Sequence, residues 1–181
     1  MFKIYTRNGD FGQTLLPKIN KKISKSDLIF DVLGTFDELG VSLGFLHTAR
    51  LPDVRTTSQE VQKDLLNLGS LIISPDRIPD EKVKYWEGRI KELEEVIDYF
   101  NSQIDPLKNF LLSGGCRESS FSHLSRVICR RLERLVVNYV KHKKDRIFVV
   151  KYLNRLSDLL FTMARYSNKK LGFKDIIWEN K

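Results

Sequence analysis

Residues 114–134 read GGCRESSFSHLSRVICRRLER, a glycine turn followed by a strongly basic segment. Apolar side chains recur in this segment every three or four residues, which predicts an α-helix with one apolar stripe facing a core. The members of the stripe are Phe121, Leu124, Ile128, Leu132, Leu135 and Tyr139. We expect the other helices of the chain to pack around this one.

A second face of the same helix carries charged side chains at the same spacing. Its members are His123, Arg126, Arg130, Glu133 and Arg134, with Arg131 about 100° to one side. A guanidinium presents a planar set of donors that fits phosphate oxygens, so several arginines beside one carboxylate indicate a polyphosphate site or a structural ion-pair network. From spacing alone, a solvated charged face is the first interpretation.

Composition narrows the class of protein. The chain has 181 residues, of which 41% are hydrophobic and 30% charged, so we expect one globular domain over residues 1–181. A net charge of +8 favours anionic partners. Cys116 and Cys129 are too few for a zinc site or a disulfide framework, which favours free thiols and a reducing cytosol. No segment resembles a signal peptide or a membrane span, so we expect a cytoplasmic protein.

Apolar periodicity predicts four further helices, and no strand pattern is evident, so the fold class is all-α, a five-helix bundle. The four predicted helices run from Ser26 or Asp27 to about Leu51, over residues 57–73, over residues 80–103, and from Asp145 to about Lys170. Asp27 and Asp145 are candidate N-caps. Gly34, Gly40 and Gly44 predict close approach of a helix or ligand to the first helix. The tail is expected to dock through Ile176, Ile177 and Trp178.

The N-terminal run TRNGDFGQT, residues 6–14, predicts an irregular loop. Two glycines among small polar side chains let backbone N–H groups curl around an anion, which is the basis of phosphate-binding nests. Lys25 follows and could fold over a bound anion. A plain surface turn explains the run equally well.

Five segments together resemble the PduO-type ATP:cob(I)alamin adenosyltransferases. TRNGDFGQT is similar to that family's TRTGDxGxT loop, and GTFDELGVSLG at residues 34–44 to its GTxDELNxxIG. LKNFLLSGG at 107–115 resembles the family's FxLPGG connector, and SRVICRRLER at 125–134 resembles its ARxxCRRAER helix. YLNRLSDLLF at 152–161 is identical to the family's segment. The chain departs from the pattern at Asn8, Gly40 and Ser113.

The resemblance implies a ferritin-like five-helix bundle that assembles as a homotrimer, with active sites between subunits. It implies that ATP contacts residues of the loop, the basic helix and the last helix. These are Thr6, Arg7, Asn8, Gly9, Thr14, Leu15, Lys25, Arg130, Arg131, Leu132, Glu133, Arg134 and Asn154. Asp37, Phe110, Arg126 and Asp158 are assigned in the same way to the cobalamin side or the subunit interface. Within these sets, Arg130, Lys25, Arg126 and Phe110 are the candidate catalytic residues.

The implied reaction transfers the 5′-deoxyadenosyl group of ATP to cob(I)alamin and releases triphosphate. Cobalamin is the second substrate, and Mg²⁺ or a similar divalent cation, held by Glu133 and the phosphates, is the expected metal. A reductase and a cobalamin-dependent acceptor enzyme are expected partners, and neither nucleic acid nor membrane is expected. Two alternatives stay open: a basic helical nucleic-acid binder, and a non-catalytic nucleotide sensor on the same fold.

Overall fold

The computed structural model describes residues 5, 7, 9–16 and 20–179, and the fold is a bundle of five long helices. The predictions of Thr6 and Asn8 as ATP contacts lie outside the described residues. The helices are α1 (Leu28–Gly44), α2 (Pro52–Ile72), α3 (Asp80–Asn101), α4 (Arg117–Val140) and α5 (Ile147–Lys170). Short 3₁₀ turns over Phe45–Thr48 and Lys144–Arg146 follow α1 and precede α5.

Helix α4, the basic helix, packs against both α1 and α5, while α3 packs on α5 and α2 on α1. One hydrophobic cluster draws side chains from all five helices. Because α4 has helices on two sides, it buries Ile128, Cys129, Leu132, Val136 and Val140, a wider arc than one stripe. The arc also differs from the predicted stripe, since Leu124 is 44% exposed.

Two small antiparallel sheets correct the prediction that the chain has no strands. β1 (Gln13–Leu16) pairs with β2 (Lys21–Ser24), so the N-terminal segment is a loop followed by a hairpin. β3 (Leu111–Leu112) pairs with β4 (Ile176–Ile177), which confirms that the tail docks and places it on the connector before α4. Strands of two to four residues are too short for an alternating pattern to reveal them.

The helix ends test the predicted caps. The carboxylate of Asp27 accepts a hydrogen bond from the backbone N–H of Ile29 at 3.0 Å, which confirms it as the N-cap of α1. The prediction for Asp145 is wrong, because its carboxylate accepts from the N–H of Ile78 at 2.8 Å and pairs with Arg146. At Gly34 and Gly40 a methyl group would meet no atom of the described residues within 4 Å. No described helix of the same chain therefore explains these two glycines, and the approach of a ligand there stays a prediction.

Among the residues that the structure describes, none of the helices combines the length and the apolar content that crossing a membrane requires.

Candidate functional site

A surface cleft between α4 and α5 collects four of the predicted site residues. Its volume is about 340 Å³, and we call it the arginine cleft; its lining is Arg130, Glu133, Arg134, Val137 and Asn154. The amide Nδ2 of Asn154 donates to Oε1 of Glu133 at 3.0 Å, which ties the two helices together across the cleft. Nη1 of Arg134 donates to the carbonyl of Arg130, one turn earlier, at 3.0 Å.

The cations of the arginine cleft lack acidic partners. Both Arg130 and Arg134 are exposed. Within the described part of the chain, neither guanidinium forms an ion pair with a carboxylate. The cleft therefore presents cationic donors beside one carboxylate, and its chemistry suits a polyanion such as a polyphosphate.

Arg126 lies one turn before the arginine cleft and packs against an aromatic ring of α5. Its guanidinium carbon is 5.9 Å from the centroid of the Phe161 ring, and its Nε is buried without a hydrogen-bond partner. Burial, and secondly the charge of Arg130, lowers the pKa of Arg126. An anionic group from outside the chain would relieve both effects.

His123 was predicted on the charged face of α4, but it is 6% exposed. Its ring lies 6.0 Å from that of Phe161, centroid to centroid, and its Nδ1 has no partner. Burial, followed by the charge of Arg126, lowers the pKa of His123, while Asp175 opposes the shift. This histidine is therefore neutral near pH 7.

Arg131 and Leu132 do not line the arginine cleft. Arg131 forms an ion pair with Glu38 of α1, on another side of α4. Leu132 is fully buried in the core, and its assignment as an ATP contact stays a prediction.

The two acidic residues assigned to the cobalamin side or interface lie apart from each other. Asp158 pairs with Arg155, one turn away on α5, at 2.7 Å. Asp37 is exposed on α1 and lines a groove of about 490 Å³ between α1 and α2. No ion pair within the described residues joins Asp37 to Arg126.

The N-terminal loop is held by Lys25, whose Nζ donates to the carbonyl of Gly9 at 2.8 Å. A methyl group on Gly9 would lie 2.9 Å from that Nζ, so a larger residue there would require the lysine side chain to shift. Arg7 and Gly12 have left-handed backbone angles, with φ of 58° and 74°. This geometry turns the chain back on itself, as an anion-binding loop requires.

Thr14 and Leu15, also predicted as ATP contacts, lie on β1. Thr14 is half-buried and Leu15 is 49% exposed. No hydrogen bond or ion pair joins the described residues of this loop and hairpin to the arginine cleft. One chain therefore brings Arg130, Glu133, Arg134 and Asn154 together, and no polar contact among the described residues joins the loop to them.

At the other end of α4, an exposed aromatic pair stands on the β3–β4 sheet. Phe110 is 80% exposed, and its ring meets that of Trp178 edge to face, with centroids 6.3 Å apart. The N–H of Trp178 donates to the carbonyl of Phe110 at 2.8 Å. Trp178 was not predicted as a site residue, because only the pairing of β3 with β4 brings it to Phe110. Phe161 was also missed, because only the packing of α5 on α4 brings it to Arg126.

Neither cysteine is suited to act as a nucleophile. Both thiols are free and buried, and burial raises the pKa of Cys116 and of Cys129. Within the described residues, no three His, Cys, Asp or Glu side chains cluster as a metal site. The arrangement can hold anions and an apolar surface, but it offers no nucleophile of its own.

Fold and site thus define a helical bundle that presents cations to an anionic ligand and an aromatic pair to an apolar one. The chain belongs to the cobalamin adenosyltransferase family, whose model matches residues 4–167. It is 38% identical over 185 residues to corrinoid adenosyltransferase MMAB of Homo sapiens, covering 97% of this chain and 73% of the relative. It is 34% identical to the corrinoid adenosyltransferase of Bacillus subtilis, covering 98% and 92%.

Solved structures agree with this assignment. A variant of the PduO-type ATP:corrinoid adenosyltransferase from Lactobacillus reuteri, complexed with cobalamin and ATP, superposes with a TM-score of 0.85. The two sequences are 28% identical, and the match covers 98% of this chain and all of that one. A second variant of the L. reuteri enzyme, complexed with ATP, matches with a TM-score of 0.82 and 30% identity over 97% of this chain and all of that chain. The family resemblance and the five-helix fold are therefore confirmed.

Proposed function

We propose that this protein transfers the 5′-deoxyadenosyl group of ATP to the cobalt of cob(I)alamin, giving adenosylcobalamin and triphosphate. The observation that carries the proposal is the arginine cleft, in which Arg130 and Arg134 lack acidic partners in the described residues and adjoin Glu133 and Asn154. Relatives named as corrinoid adenosyltransferases, and a structural neighbour complexed with cobalamin and ATP, support it.

For this reaction the protein must position the two substrates and stabilise the negative charge that develops on the triphosphate. The electron pair of Co(I) attacks C5′ of ATP, the Co–C bond forms, and the C5′–O bond breaks with its electrons passing to the triphosphate. Negative charge then grows on the departing oxygens, where guanidinium donors in fixed positions stabilise it. Because the nucleophile belongs to the substrate, buried cysteines and a neutral His123 are compatible with the reaction.

A divalent cation such as Mg²⁺ would neutralise phosphate charge when bound. Mg²⁺ commonly uses one or two carboxylates together with substrate phosphates and water. Glu133 fits that pattern, because it is the one carboxylate among the residues that line the arginine cleft. Its Oε1 already accepts from Asn154, which fixes the orientation of the carboxylate.

The N-terminal loop supplies the other half of the proposed ATP site. Arg7, Gly9, Thr14 and Leu15 would surround the nucleotide, and Lys25 would exchange the Gly9 carbonyl for a phosphate oxygen. Since no polar contact among the described residues joins this loop to the arginine cleft of the same chain, we propose that a neighbouring subunit completes the site. A homotrimer with three shared sites fulfils that requirement.

An exposed acid and a partly buried cation support a subunit interface. Asp37 is exposed beside an apolar groove, and Arg126 carries a buried Nε with no partner. An aspartate of one copy and an arginine of the next would satisfy each other. Asp158, on the α5 face next to Asn154, would lie close to this contact.

The aromatic pair would face the corrin. Phe110 projects into solvent from the connector, and an apolar ring in that position excludes water and the lower axial ligand from cobalt. We propose that this exclusion favours reduction of cob(II)alamin to cob(I)alamin, with electrons from a cytoplasmic reductase. The product would pass to a cobalamin-dependent enzyme.

An anaerobic absorbance assay tests the proposal. Purified protein is mixed with chemically reduced cobalamin and MgATP, and formation of the Co–C product is followed against a reaction without ATP. We expect product and released triphosphate in equal amounts. ATP binding without product would support the non-catalytic sensor instead. Salt-dependent binding of an oligonucleotide, with no effect of ATP, would support the nucleic-acid binder.

A further inference from the structure

The connector that carries Phe110 is fastened to α5 by a buried asparagine. Asn168 is 2% exposed and lies near the end of α5. Its Oδ1 accepts from the N–H of Cys116 at 2.9 Å, and its Nδ2 donates to the carbonyl of Gly114 at 3.1 Å. One amide therefore holds both sides of the glycine turn, because its oxygen accepts from the residue after the turn and its nitrogen donates to the first glycine.

The same amide reaches the C-terminal segment. Nδ2 of Asn168 also donates to Oδ1 of Asp175 at 3.2 Å, and the backbone carbonyl of Asn168 accepts from Phe173 at 2.8 Å. Asp175 stands one residue before β4, the strand that leads to Trp178. Asn168 thus joins the two segments that carry the aromatic pair.

Arg165, one turn earlier on α5, repeats this connection. Its Nε donates to Oδ2 of Asp175 at 2.9 Å, and its Nη2 donates to the carbonyl of Asp105, two residues before the connector, at 2.8 Å. Arg165 is 7% exposed, and both of these hydrogen bonds are partly buried.

Gly115 is the position that makes room for Asn168. Its φ is +108°, and a methyl group there would lie 2.2 Å from Oδ1 of Asn168. A Cβ atom cannot occupy that position unless the amide moves. The left-handed backbone angle adds a second reason for glycine.

We propose that Asn168, Arg165 and Asp175, closed over Gly115, form a clamp that fixes the aromatic pair against the corrin, so that Asn168 is a positioning residue for the reaction. The inference rests on the proposed function, because the aromatic pair matters only if cobalamin binds there. Phe110 gains from such support because 80% of its surface is exposed and few contacts of its own hold it. A displacement of about 1 Å at a reacting centre is enough to slow a reaction severely.

Asn168→Asp tests the clamp with little change of shape. The variant keeps the acceptor for Cys116, loses both donated hydrogen bonds and places a second carboxylate beside Asp175. We expect the KM for cob(I)alamin to rise about tenfold while the KM for ATP changes less than about twofold. Gly115→Ala should give the same pattern, and the double variant should be no worse than the worse single one, because both changes disturb the seating of the same side chain on the glycine turn.

Fluorescence gives a readout that needs no turnover. The chain has two tryptophans, of which Trp86 is 3% exposed and Trp178 is 47% exposed. The Trp178 signal is obtained by subtracting the spectrum of a Trp178→Phe variant. We expect acrylamide to quench Trp178 more strongly in Asn168→Asp than in the unchanged protein. If the unchanged protein makes no adenosylcobalamin, the proposed function fails, while this measurement still tests the clamp.

Ser167→Ala is the matched control, because Ser167 is the neighbouring buried residue and its Oγ has no partner. It should leave both KM values and the quenching unchanged. The clamp is refuted if Asn168→Asp behaves like Ser167→Ala, or if the KM values for both substrates rise equally. Should Asn168→Asp fail to fold, Asp175→Asn carries the same test, since it removes the ion pair with Arg165 and keeps the acceptor for Asn168.

Discussion

Two groups of charged side chains on this bundle differ in what surrounds them. The first, which we call the buried ion cluster, joins α2, α3 and α5 through Asp64, Arg89 and Tyr152. Oδ2 of Asp64 accepts from Nη2 of Arg89 and from the hydroxyl of Tyr152, both at 2.7 Å. The second is the arginine cleft with neighbouring Arg126, where no carboxylate among the described residues pairs with a guanidinium. The first group has its acidic partner within the chain, whereas the second has none among the described residues.

Their pKa shifts show the same contrast. Burial lowers the pKa of Arg89, but hydrogen bonds to Asp64 and Glu92 outweigh it, so the pKa rises. Burial also lowers the pKa of Arg126, and the charge of Arg130 lowers it further, with no acid to compensate. A structural network therefore differs from a binding site in whether carboxylates lie beside the cations, rather than in the number of cations.

The largest effect is expected in the buried ion cluster. Asp64→Ala leaves the phenol of Tyr152 without its acceptor and leaves Arg89 paired, among the described residues, with Glu92 alone. The loss of one partner of a buried pair costs up to about 3–5 kcal/mol of unfolding free energy. Urea denaturation measures it. Turnover per folded molecule should stay close to that of the unchanged protein. If Asp64→Ala instead lowered turnover without lowering stability, the assignment of this cluster to structure would be wrong.

Arg130→Ala should show the opposite pattern in the arginine cleft. Removal of one group that stabilises departing charge costs about 10²–10³-fold in kcat. Unfolding free energy should stay within about 0.5 kcal/mol, because the side chain is exposed and forms no ion pair with any described residue. Arg77→Ala is the matched control, since Arg77 is exposed and its ion pair is with Asp80, an exposed residue at the start of α3. A fall in stability with unchanged kcat would place Arg130 in the fold rather than the site.

The sequence predicts the five helices well, but it predicts the short strands and the helix caps less well. Periodic apolar residues predicted all five helices, because a long amphipathic pattern reports burial directly. The pattern could not predict β3 and β4, since their pairing joins Leu111 to Ile177 across 66 positions and depends on the finished bundle. Asp145 failed as a cap for a similar reason: a backbone N–H from residue 78 competes for its carboxylate.

The candidate site shows the same division. The shared face of Arg130, Glu133 and Arg134 follows from helical spacing, and Asn154 reaches it because α5 packs on α4. Spacing could not reveal that Arg131 turns toward Glu38, or that His123 is buried. Those outcomes depend on which helix lies beside α4 at each turn.

The ion pair between Glu118 and Arg50 can be tested through the pH dependence of stability, because this carboxylate has its cationic partner within the chain. Hydrogen bonds from the Arg50 side chain hold the pKa of Glu118 at about 2, below the ordinary value near 4.3. A depressed carboxyl pKa stabilises the fold fully above the unfolded value, and that stability is lost as pH falls toward 2. Glu118→Gln should therefore be less stable than the unchanged protein at pH 7, with the difference shrinking between pH 5 and pH 2. Thermal unfolding across that range measures it, and a constant difference would contradict the pairing.

Arg131 is intermediate between the buried ion cluster and the arginine cleft, because it is exposed but paired with an acid. The smallest effect is expected at this residue. Its ion pair with Glu38 is about half-exposed on both sides, and such pairs contribute about 0–1 kcal/mol. Arg131→Ala should change unfolding free energy by less than about 1 kcal/mol, and a double-mutant cycle with Glu38→Gln isolates the pair. We also expect a smaller loss of kcat than for Arg130→Ala, because Glu38 already engages this guanidinium. Equal losses of kcat would mean that ATP draws Arg131 away from Glu38, and the arginine cleft would then include a third cation from α4.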